Sequence, residues 1–421
     1  MDDGHVLRNR RFLALWSGNT LSLVGTAGVR IAYPLLALTL FHSPALAGWI
    51  AFAATFPALL LQVPAGIVAD SVNRRTLMLL AQGVGLTATL SVVLAIGWNL
   101  PAVLVASAVA EGAAFVFFSV AEVGAVRDVV DDRHRTAAFS FLEAEQPVAN
   151  LAGRAVGGVL FALTRSAPFL LNAFSYLFCL LTLSTMPKRL FEPAAVSPEG
   201  VVSSTGRFWR RMGHGLSWTW RIPYLRLTTI VTGFTNILFQ CTILLILVVA
   251  AREGRPVWTA GVILAAAGAG GILGSLTAPR LDRSTSPRAL FLGCVWAWTG
   301  LLLLVALSKN TVVLLFAWGG VGAVGAVCAI VLTMARVRAV PDAELGQMVG
   351  AATVITDGAV PIGAVAGGYL LSSAGPSTAA WVVFGAMLVA AVSTTRFLKP
   401  VTGTVMSTAL PDSGLPPRTS T

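Results

Sequence analysis

Four ionisable residues interrupt long apolar stretches of the sequence. They are Arg30, Glu111, Arg154 and Asp357, two of each sign. Each lies within about four residues of the middle of its stretch, which in a helix corresponds to roughly 6 Å from the centre. A charged side chain that faced lipid at this depth would cost about 2.5–3.5 kcal/mol. We therefore predict that the four residues face an interior, hydrated site and compensate one another.

Such a site allows more than one kind of chemistry. A bound molecule with one cationic and one anionic group would displace the internal ion pairs. Alternatively, Glu111 or Asp357 takes up a proton when its partner is pulled away, because burial favours the neutral carboxyl group. A third interpretation, ion pairs that only join helices, stays open as well. Asn236 and Gln240, one helical turn apart, are candidates for neutral hydrogen bonds to a ligand.

Apolar runs of spanning length supply the elements that position these residues. Of the 421 residues, 56% are hydrophobic and 11% are charged, whereas about a quarter are charged in a soluble domain. One soluble core cannot bury that much apolar surface, so we predict an all-α membrane protein. Twelve runs are long enough to span a bilayer, at 12–40, 46–69, 76–97, 101–126, 138–163, 167–187, 224–250, 258–280, 289–307, 312–336, 346–371 and 378–398.

Lysine and arginine positions predict the orientation of these helices. With the N-terminus inside the cell, most of the 29 basic residues fall on cytoplasmic segments or on the adjoining helix ends. Those on the outside are Arg165, Arg252, Arg255 and Lys309. We predict an inner-membrane protein with both termini in the cytoplasm. The net charge of +11 is clustered between apolar runs, which argues against a nucleic-acid partner.

An internal repeat indicates that the chain consists of two related halves. Residues 155–160 (AVGGVL) resemble residues 365–370 (VAGGYL) at an offset of 210. Gln240 corresponds to Arg30 at the same offset. We predict two pseudo-symmetric six-helix bundles, 1–187 and 224–398.

The remaining segments have different compositions. The linker 188–223 contains a stretch rich in arginine and tryptophan at 207–221, which we predict to be a helix in the cytoplasmic membrane interface. The tail 399–421 contains prolines and small polar residues and is predicted to be disordered.

The segment between the second and third predicted helices resembles a known signature. It is GIVADSVNRR at 66–75, similar to the Gly-x-x-x-Asp-x-x-x-Arg-Arg loop of the major facilitator superfamily. The opening RFLALWSGNTLSLVGTAGV and the stretch VPAGIVAD look like the exporter branch that includes the enterobactin exporter and macrolide efflux proteins. The resemblance continues at 341–346 (PDAELG) and covers the whole chain.

The resemblance implies a fold and a binding site. In the superfamily fold, helices 1, 4, 7 and 10 line a central cavity, and helices 5 and 11 lie where the halves meet. This arrangement favours a pair between Arg30 and Glu111. Arg154 and Asp357 would then reach into the cavity, one from each half.

The resemblance also implies a gate. Asp70 is similar to the family aspartate that caps the start of helix 11 and latches the two halves while the carrier opens outward. A carboxylate is stabilised at the positive end of a helix dipole, so the latch is physically reasonable. Arg74 and Arg75 complete this predicted cytoplasmic gate. The alternative is that these arginines serve only to keep the loop in the cytoplasm.

Three positions depart from the family pattern and weigh against borrowing its proton-antiport mechanism. The arginine common in helix 4 corresponds to Ala108. The Gly-Pro pair of helix 5 is replaced by Gly153 and Arg154. No acidic residue occurs near the middle of helix 1, around Gly25.

Three glutamates are predicted near the cytoplasmic mouth. Glu122 lies near the end of helix 4, and Glu143 and Glu145 lie near the start of helix 5. They are either a funnel for protons or cations, or simply ion-pair partners. The expected partners are Arg127, Arg133 and Arg135.

These observations favour a transporter over an enzyme. The four cysteines lie far apart in apolar runs, and the sequence has no metal-site or nucleotide-loop spacing, so we expect no metal or cofactor. The leading hypothesis is a monomeric secondary-active exporter of a small amphipathic organic compound (a drug, antibiotic or siderophore) driven by proton antiport. An importer or uniporter of a polar metabolite is the first alternative. A membrane-embedded transferase is the second, although no catalytic motif supports it.

Overall fold

The structure is a computed structural model, and it describes residues 6–98, 100–191, 210, 213–252, 256 and 258–398. The predicted tail at 399–421 lies outside these residues, as does most of 192–212. Within the predicted interfacial segment, residues 213–221 are helical; Trp218 is buried, and Trp220 and Arg221 are exposed. We call residues 213–221 the linker helix.

Twelve long helices cross the described part of the chain. Those of the first half are α1 (Arg10–Phe41), α2 (Pro44–Ser71), α3 (Arg74–Ala95), α4 (Pro101–Val129), α5 (Arg135–Leu163) and α6 (Ala167–Ser184). The second half begins with α7 (Pro223–Arg252), α8 (Trp258–Ser284), α9 (Pro287–Leu307) and α10 (Thr311–Ala339). The last segment, Asp342–Phe397, breaks at Gly375, where φ is 74°, into two arms that we call α11 (342–374) and α12 (376–397).

Local chemistry explains where several helices begin. The side chains of Asn9, Ser43 and Asn73 each accept a hydrogen bond from a backbone N–H in the first turn of the following helix. These caps satisfy donors that have no partner within a helix. Pro44 and Pro101 occupy first-turn positions, where a missing N–H costs nothing. The predicted spans are confirmed to within a few residues at each end.

Ten of the helical segments are long and apolar enough to span a membrane by length and composition. The ten include Glu344–Phe397 as one segment, which covers both α11 and α12. Helix α5, which contains Glu143, Glu145 and Arg154, is not among them. A spanning helix with this composition must direct its polar face toward the protein interior.

The helices pack as two bundles that meet along two seams. In the first half α1 is the most buried helix and packs on α5, α6 and α2. In the second half α7 packs on α11, and α8 packs on α10. The bundles meet where α2 lies against α11 and where α5 lies against α8.

Glycines of the internal repeat make these contacts in both halves. Gly157 packs on Gly28 of α1, and its equivalent, Gly367, packs on Cys241 of α7. Gly158 contacts Gly261 of α8 across the α5–α8 seam. Its equivalent, Gly368, contacts α2 across the other seam. Small residues at these points let the helix backbones approach closely. The repeat therefore marks the same two interfaces in each half.

Candidate functional site

Arg30 lies in the interior of the first bundle yet remains accessible to solvent. Its guanidinium carbon is 4.9 Å from the ring centroid of Phe115 on α4, a cation–π arrangement. It also lies close enough to Tyr176 of α6 and Arg154 of α5 to interact electrostatically. Because helices surround the guanidinium, its exposure indicates an opening between helices rather than contact with lipid.

Glu111 is buried beside this opening, with 5% of its surface exposed. The hydroxyl of Thr89 on α3 donates a hydrogen bond to its carboxylate. The Asn172 amide of α6 lies 3.4 Å from the same carboxylate oxygen and 3.1 Å from the Thr89 hydroxyl. Helices α3 and α6 therefore hold Glu111 of α4 through neutral donors.

The expected ion pair between Arg30 and Glu111 is not formed. Among the described residues, Arg30 makes no salt bridge within 4.0 Å, and its influence on Glu111 is electrostatic only. The physical reason is that Thr89 and Asn172 already satisfy Glu111. The Arg30 guanidinium instead lies over the Phe115 ring. This leaves its hydrogen-bond donors available.

The other two predicted charges lie nearer the seams. Arg154 is half-buried on α5, and its backbone carbonyl contacts Gly261 of α8. Asp357 is exposed on α11, next to Gly358, which packs against Leu59 of α2. The structure therefore brings Arg30, Glu111 and Arg154 into one neighbourhood of the first half. Asp357 is separate, at the α2–α11 seam.

Asn236 and Gln240 contribute to the packing of α7 on α11. The Asn236 amide donates a hydrogen bond of 2.9 Å to the carbonyl of Thr356, the residue before Asp357. A Cβ on Gly363 would lie 3.0 Å from the Gln240 Cβ. Both residues remain half-buried. Asn236 therefore helps to fix the backbone that carries Asp357.

The two arginines of the loop signature bind within the first half. Arg74 forms a salt bridge of 2.8 Å with Asp128 at the end of α4. Arg75 donates two hydrogen bonds of 2.9 Å to the carbonyls of Leu183 and Ser184, which end α6. These bonds satisfy carbonyl groups that lack partners at a helix end. The two arginines therefore hold the ends of α3, α4 and α6 together.

Asp70 does not cap α11 in this conformation. Its carboxylate is 3.8 Å from Arg74, and the side chain is 75% exposed. Along the α2 face that contains Asp70, Gly48 packs on α11 at one end and Leu59 touches Gly358 in the middle. Farther along, Gln62 is exposed and Gly66 has no neighbour within 4 Å. The two halves thus separate on the side of the α2–α3 turn, which we call the loop side.

Two of the three glutamates expected at the mouth are buried instead. Glu122 and Glu145 are 6% and 3% exposed, and the Asn19 amide donates a hydrogen bond of 2.6 Å to Glu145. Only Glu143 is exposed. Helical phase explains the difference, because Glu143 and Glu145 lie about 200° apart around α5.

Two of the three arginines expected to pair with these glutamates have other contacts. Arg127 lies over the Phe139 ring, at 5.9 Å, and Arg135 forms its salt bridge with Asp132. Sequence reasoning missed one signal for this buried polar region. The spacing of Asn19, Ser22 and Thr26 places three polar residues on one face of α1. Among the described residues, no group of three or more metal-binding side chains occurs.

Comparisons with known proteins agree with this geometry. The nucleoside transporter NupG has a TM-score of 0.73 at 14% identity, covering 92% of this chain and 99% of that one. A bacterial homologue of the iron transporter ferroportin, in an inward-facing state, has a TM-score of 0.71 at 16% identity, covering 94% and 99%. A POT family transporter in complex with 5-aminolevulinic acid has a TM-score of 0.69 at 12% identity, covering 95% and 98%. Likenesses at such low identity show a shared fold.

The fold and the family together define the class of the protein. It is a multi-pass membrane transporter of the major facilitator type. A family model described as "transmembrane secretion effector" matches residues 5–412, and the chain belongs to that family. A search of curated protein sequences gives no match. The family and the structural neighbours are transporters, which favours the transporter hypotheses over the transferase alternative.

Proposed function

We propose that the protein exports a small amphipathic organic compound by alternating access, driven by proton antiport. The observation that carries this proposal is Arg30, an accessible cation held inside a bundle, with the buried carboxyl group of Glu111 beside it. A soluble ligand can reach the first group, and a proton can neutralise the second. A carrier that couples two solutes needs both kinds of site.

The charges favour a substrate that contains both an anionic and a cationic group. Arg30 and Arg154 interact electrostatically, and they form a region of positive charge that would attract an anion. Arg30 has donors available for that anion, since it makes no salt bridge among the described residues. Asp357 is exposed at the α2–α11 seam. It would bind the cationic group of the substrate when the two bundles move closer together. The Phe115 ring offers an apolar surface to the remainder of such a compound.

The opening on the loop side supports alternating access. With the loop side in the cytoplasm, the conformation described above faces inward and is ready to take up a substrate for export. Closure would bring Asp70 to the start of α11, where a carboxylate is stabilised by the helix dipole. A latch of this kind shifts the equilibrium between two states without altering the binding site.

A binding screen followed by a transport assay tests the proposal. Purified protein is heated with size-matched zwitterionic, cationic and anionic aromatic compounds, since ligands of the folded state raise its apparent stability. We expect the zwitterions to stabilise it most and Arg30→Gln to lose that effect. Arg165→Gln, an exposed residue between α5 and α6, is the matched control. Equal shifts in all three classes would contradict the substrate class.

The best-stabilising compound is then offered to everted membrane vesicles. Export in cells corresponds to uptake into such vesicles, and we expect uptake that disappears when the proton gradient is collapsed. Glu111→Gln should abolish this dependence while the protein remains in the membrane. Uptake only into right-side-out vesicles would favour an importer instead. Uptake that ignores the gradient would reject proton antiport.

A further inference from the structure

Glu122 and Glu145 meet inside the first bundle without a compensating cation. Glu122 comes from α4 and Glu145 from α5, and they lie close enough to interact electrostatically. Asn19 of α1 donates its hydrogen bond to one Glu145 oxygen, and it also lies near Glu122. One oxygen of each glutamate, Oε1 in both cases, is buried and has no hydrogen-bond partner. Among the described residues, neither carboxyl group makes a salt bridge within 4.0 Å.

The groups around this pair do not neutralise it. Cys179 of α6 is a further titratable side chain that interacts with both carboxyl groups. Its thiol is buried and packs near Gly18 of α1. Two buried carboxylates beside one thiol, with no arginine or lysine in contact, form an unstable arrangement. Binding of a proton removes one of the negative charges and supplies a hydrogen-bond donor for an orphaned oxygen.

A metal ion fits this place less well than a proton. Calcium takes six to eight oxygen ligands, and magnesium requires a nearly octahedral shell. The pair contributes two carboxyl groups, and the neighbouring Asn19 directs its N–H, a donor, at Glu145. No cluster of three or more acidic, histidine or cysteine side chains suited to a metal occurs in the described residues. The ligand that the site favours is therefore the proton.

A column of polar side chains connects this pair to Glu111. Along α1, Asn19 is followed by Ser22, which hydrogen-bonds with Gln82 of α3 at 3.3 Å, and by Thr26. The Thr26 hydroxyl lies 3.2 Å from the Tyr176 hydroxyl of α6. Asn19 and Thr26 are seven residues apart (26 − 19 = 7), about 10 Å along the helix.

The end of the column formed by Tyr176 lies near Glu111. Tyr176 lies beside Asn172, one helical turn away on α6, and interacts electrostatically with Glu111. A cavity of about 20 Å³ is lined by Asn19, Ser22, Thr26, Gln82 and Tyr176. That volume is enough for one water molecule with polar partners. Hydroxyl groups and water can pass protons along such a series.

The second half has polar residues at the positions equivalent to Asn19, Ser22 and Thr26 but no equivalent of the glutamate pair. At the repeat offset of 210, Glu122 corresponds to Leu332, Glu145 to Ile355 and Asn19 to Thr229. Leu332 and Thr229 are buried. A purely structural need at this place in the fold would be expected in both repeats. The carboxyl pair belongs to the first half only, which indicates a function of that half.

We propose that Glu122, Glu145 and Asn19 form a buried proton-binding site, connected to Glu111 by the polar face of α1. The site would give protons a route through the first bundle, separate from the path of the substrate between the bundles. The use of this route in transport depends on the proton antiport proposed above. The binding of a proton by the pair does not, and it is measured without any substrate.

Infrared spectroscopy of the purified protein in lipid nanodiscs tests the site. The C=O stretching band of protonated carboxyl groups is recorded as the pH is changed, in wild type, Glu122→Gln and Glu145→Gln. We expect each variant to lose part of this band at neutral pH. Glu143→Gln, an exposed neighbour on the same helix, should leave the band unchanged. An equal band in wild type and both buried variants would overturn the site.

Three further measurements separate the remaining outcomes. If a glutamine variant fails to fold, Asn19→Leu, which keeps both carboxyl groups, is recorded instead, and an unchanged titration of the band would contradict the site. Replacing potassium with sodium should leave the band unchanged; loss of the band at constant pH would identify a cation site and reject the proposal.

Gln82→Leu should slow proton-coupled uptake but keep the band. If the wild-type protein shows the band but no proton-coupled uptake, the proton-binding site is supported and the proposed antiport is rejected.

Discussion

At the scale of single residues, the central feature is a carboxyl group held by neutral donors. Glu111 accepts its hydrogen bonds from Thr89 and Asn172, while Arg30 lies over an aromatic ring. The negative charge is therefore not locked in an ion pair. Such a group can change its protonation without breaking a salt bridge first. This arrangement suits the binding and release of a proton by Glu111 better than a permanent link between helices.

Thr89→Val should destabilise the protein by about 1–3 kcal/mol, since a buried acceptor then loses its donor. Thr235→Val is the matched control, because Thr235 is equally buried but donates only to Val231 of its own helix. Thermal unfolding in detergent measures the difference. Equal losses for the two variants would mean that the bond to Glu111 contributes nothing to stability.

The sequence could predict the presence of these charges but not their partners. The midpoint positions of Arg30, Glu111 and Asp357 follow from the length of each apolar run, because the bilayer sets that length. The identity of each contact depends on how each helix is rotated about its axis. Glu143 and Glu145 illustrate the limit, since both are near the start of α5 and only the second is buried. Neighbouring helices determine that rotation.

At the scale of elements, paired glycines join the two bundles. Gly158 and Gly368, related by the repeat, allow α5 to meet α8 and α11 to meet α2. Both contacts lie toward the end of the molecule opposite the loop side. A seam without side chains lets two backbones pack closely there and part again without unlocking interdigitated groups. The AVGGVL and VAGGYL matches could predict this pairing, although not which helices would be touched.

Gly158→Val should weaken the α5–α8 seam. A Cβ at this position would lie 2.7 Å from the Cα of Gly261, so the helices must move apart. We expect a loss of about 1–3 kcal/mol in the free energy of unfolding, as for other overpacked cores. Gly300→Val on α9, where a Cβ meets nothing within 4 Å, serves as the control. A larger loss for the control would show that the seam is not tightly packed.

At the scale of the whole molecule, the halves share a framework but differ in charge. Arg74 pairs with Asp128 in the first half, and Asp282 pairs with Arg338 in the second, at 2.8 and 2.7 Å. Asp128 and Arg338 are related by the repeat offset of 210 and carry opposite charges. One member of each ion pair therefore occupies the same repeat position with the opposite charge, while its partner lies at the start of α3 in the first half and near the end of α8 in the second. Comparable positions retain a structural role while the charge diverges.

A cysteine introduced at position 62 should report the opening on the loop side. Gln62 lies on the α2 face that diverges from α11, so Gln62→Cys should react with a water-soluble maleimide in the conformation described here. All four native cysteines are buried, and the wild-type chain is the control for background labelling. A bound substrate that closes the loop side should protect the site. Asp70→Asn should reduce that protection, and protection unaffected by the substitution would remove Asp70 from the latch.

The break at Gly375 has a consequence for how such a closure could proceed. Its backbone conformation is one that only glycine adopts easily, and no atom lies within 4 Å of the place a side chain would take. Beyond it, α12 is tied to α9 by the bond between Trp296 and Thr395. Helix α11 can rotate toward α2 without moving α12, because the backbone at Gly375 can take up the change in angle between the two helices. Helices α9 and α12 can then keep their positions while α11 moves relative to α2.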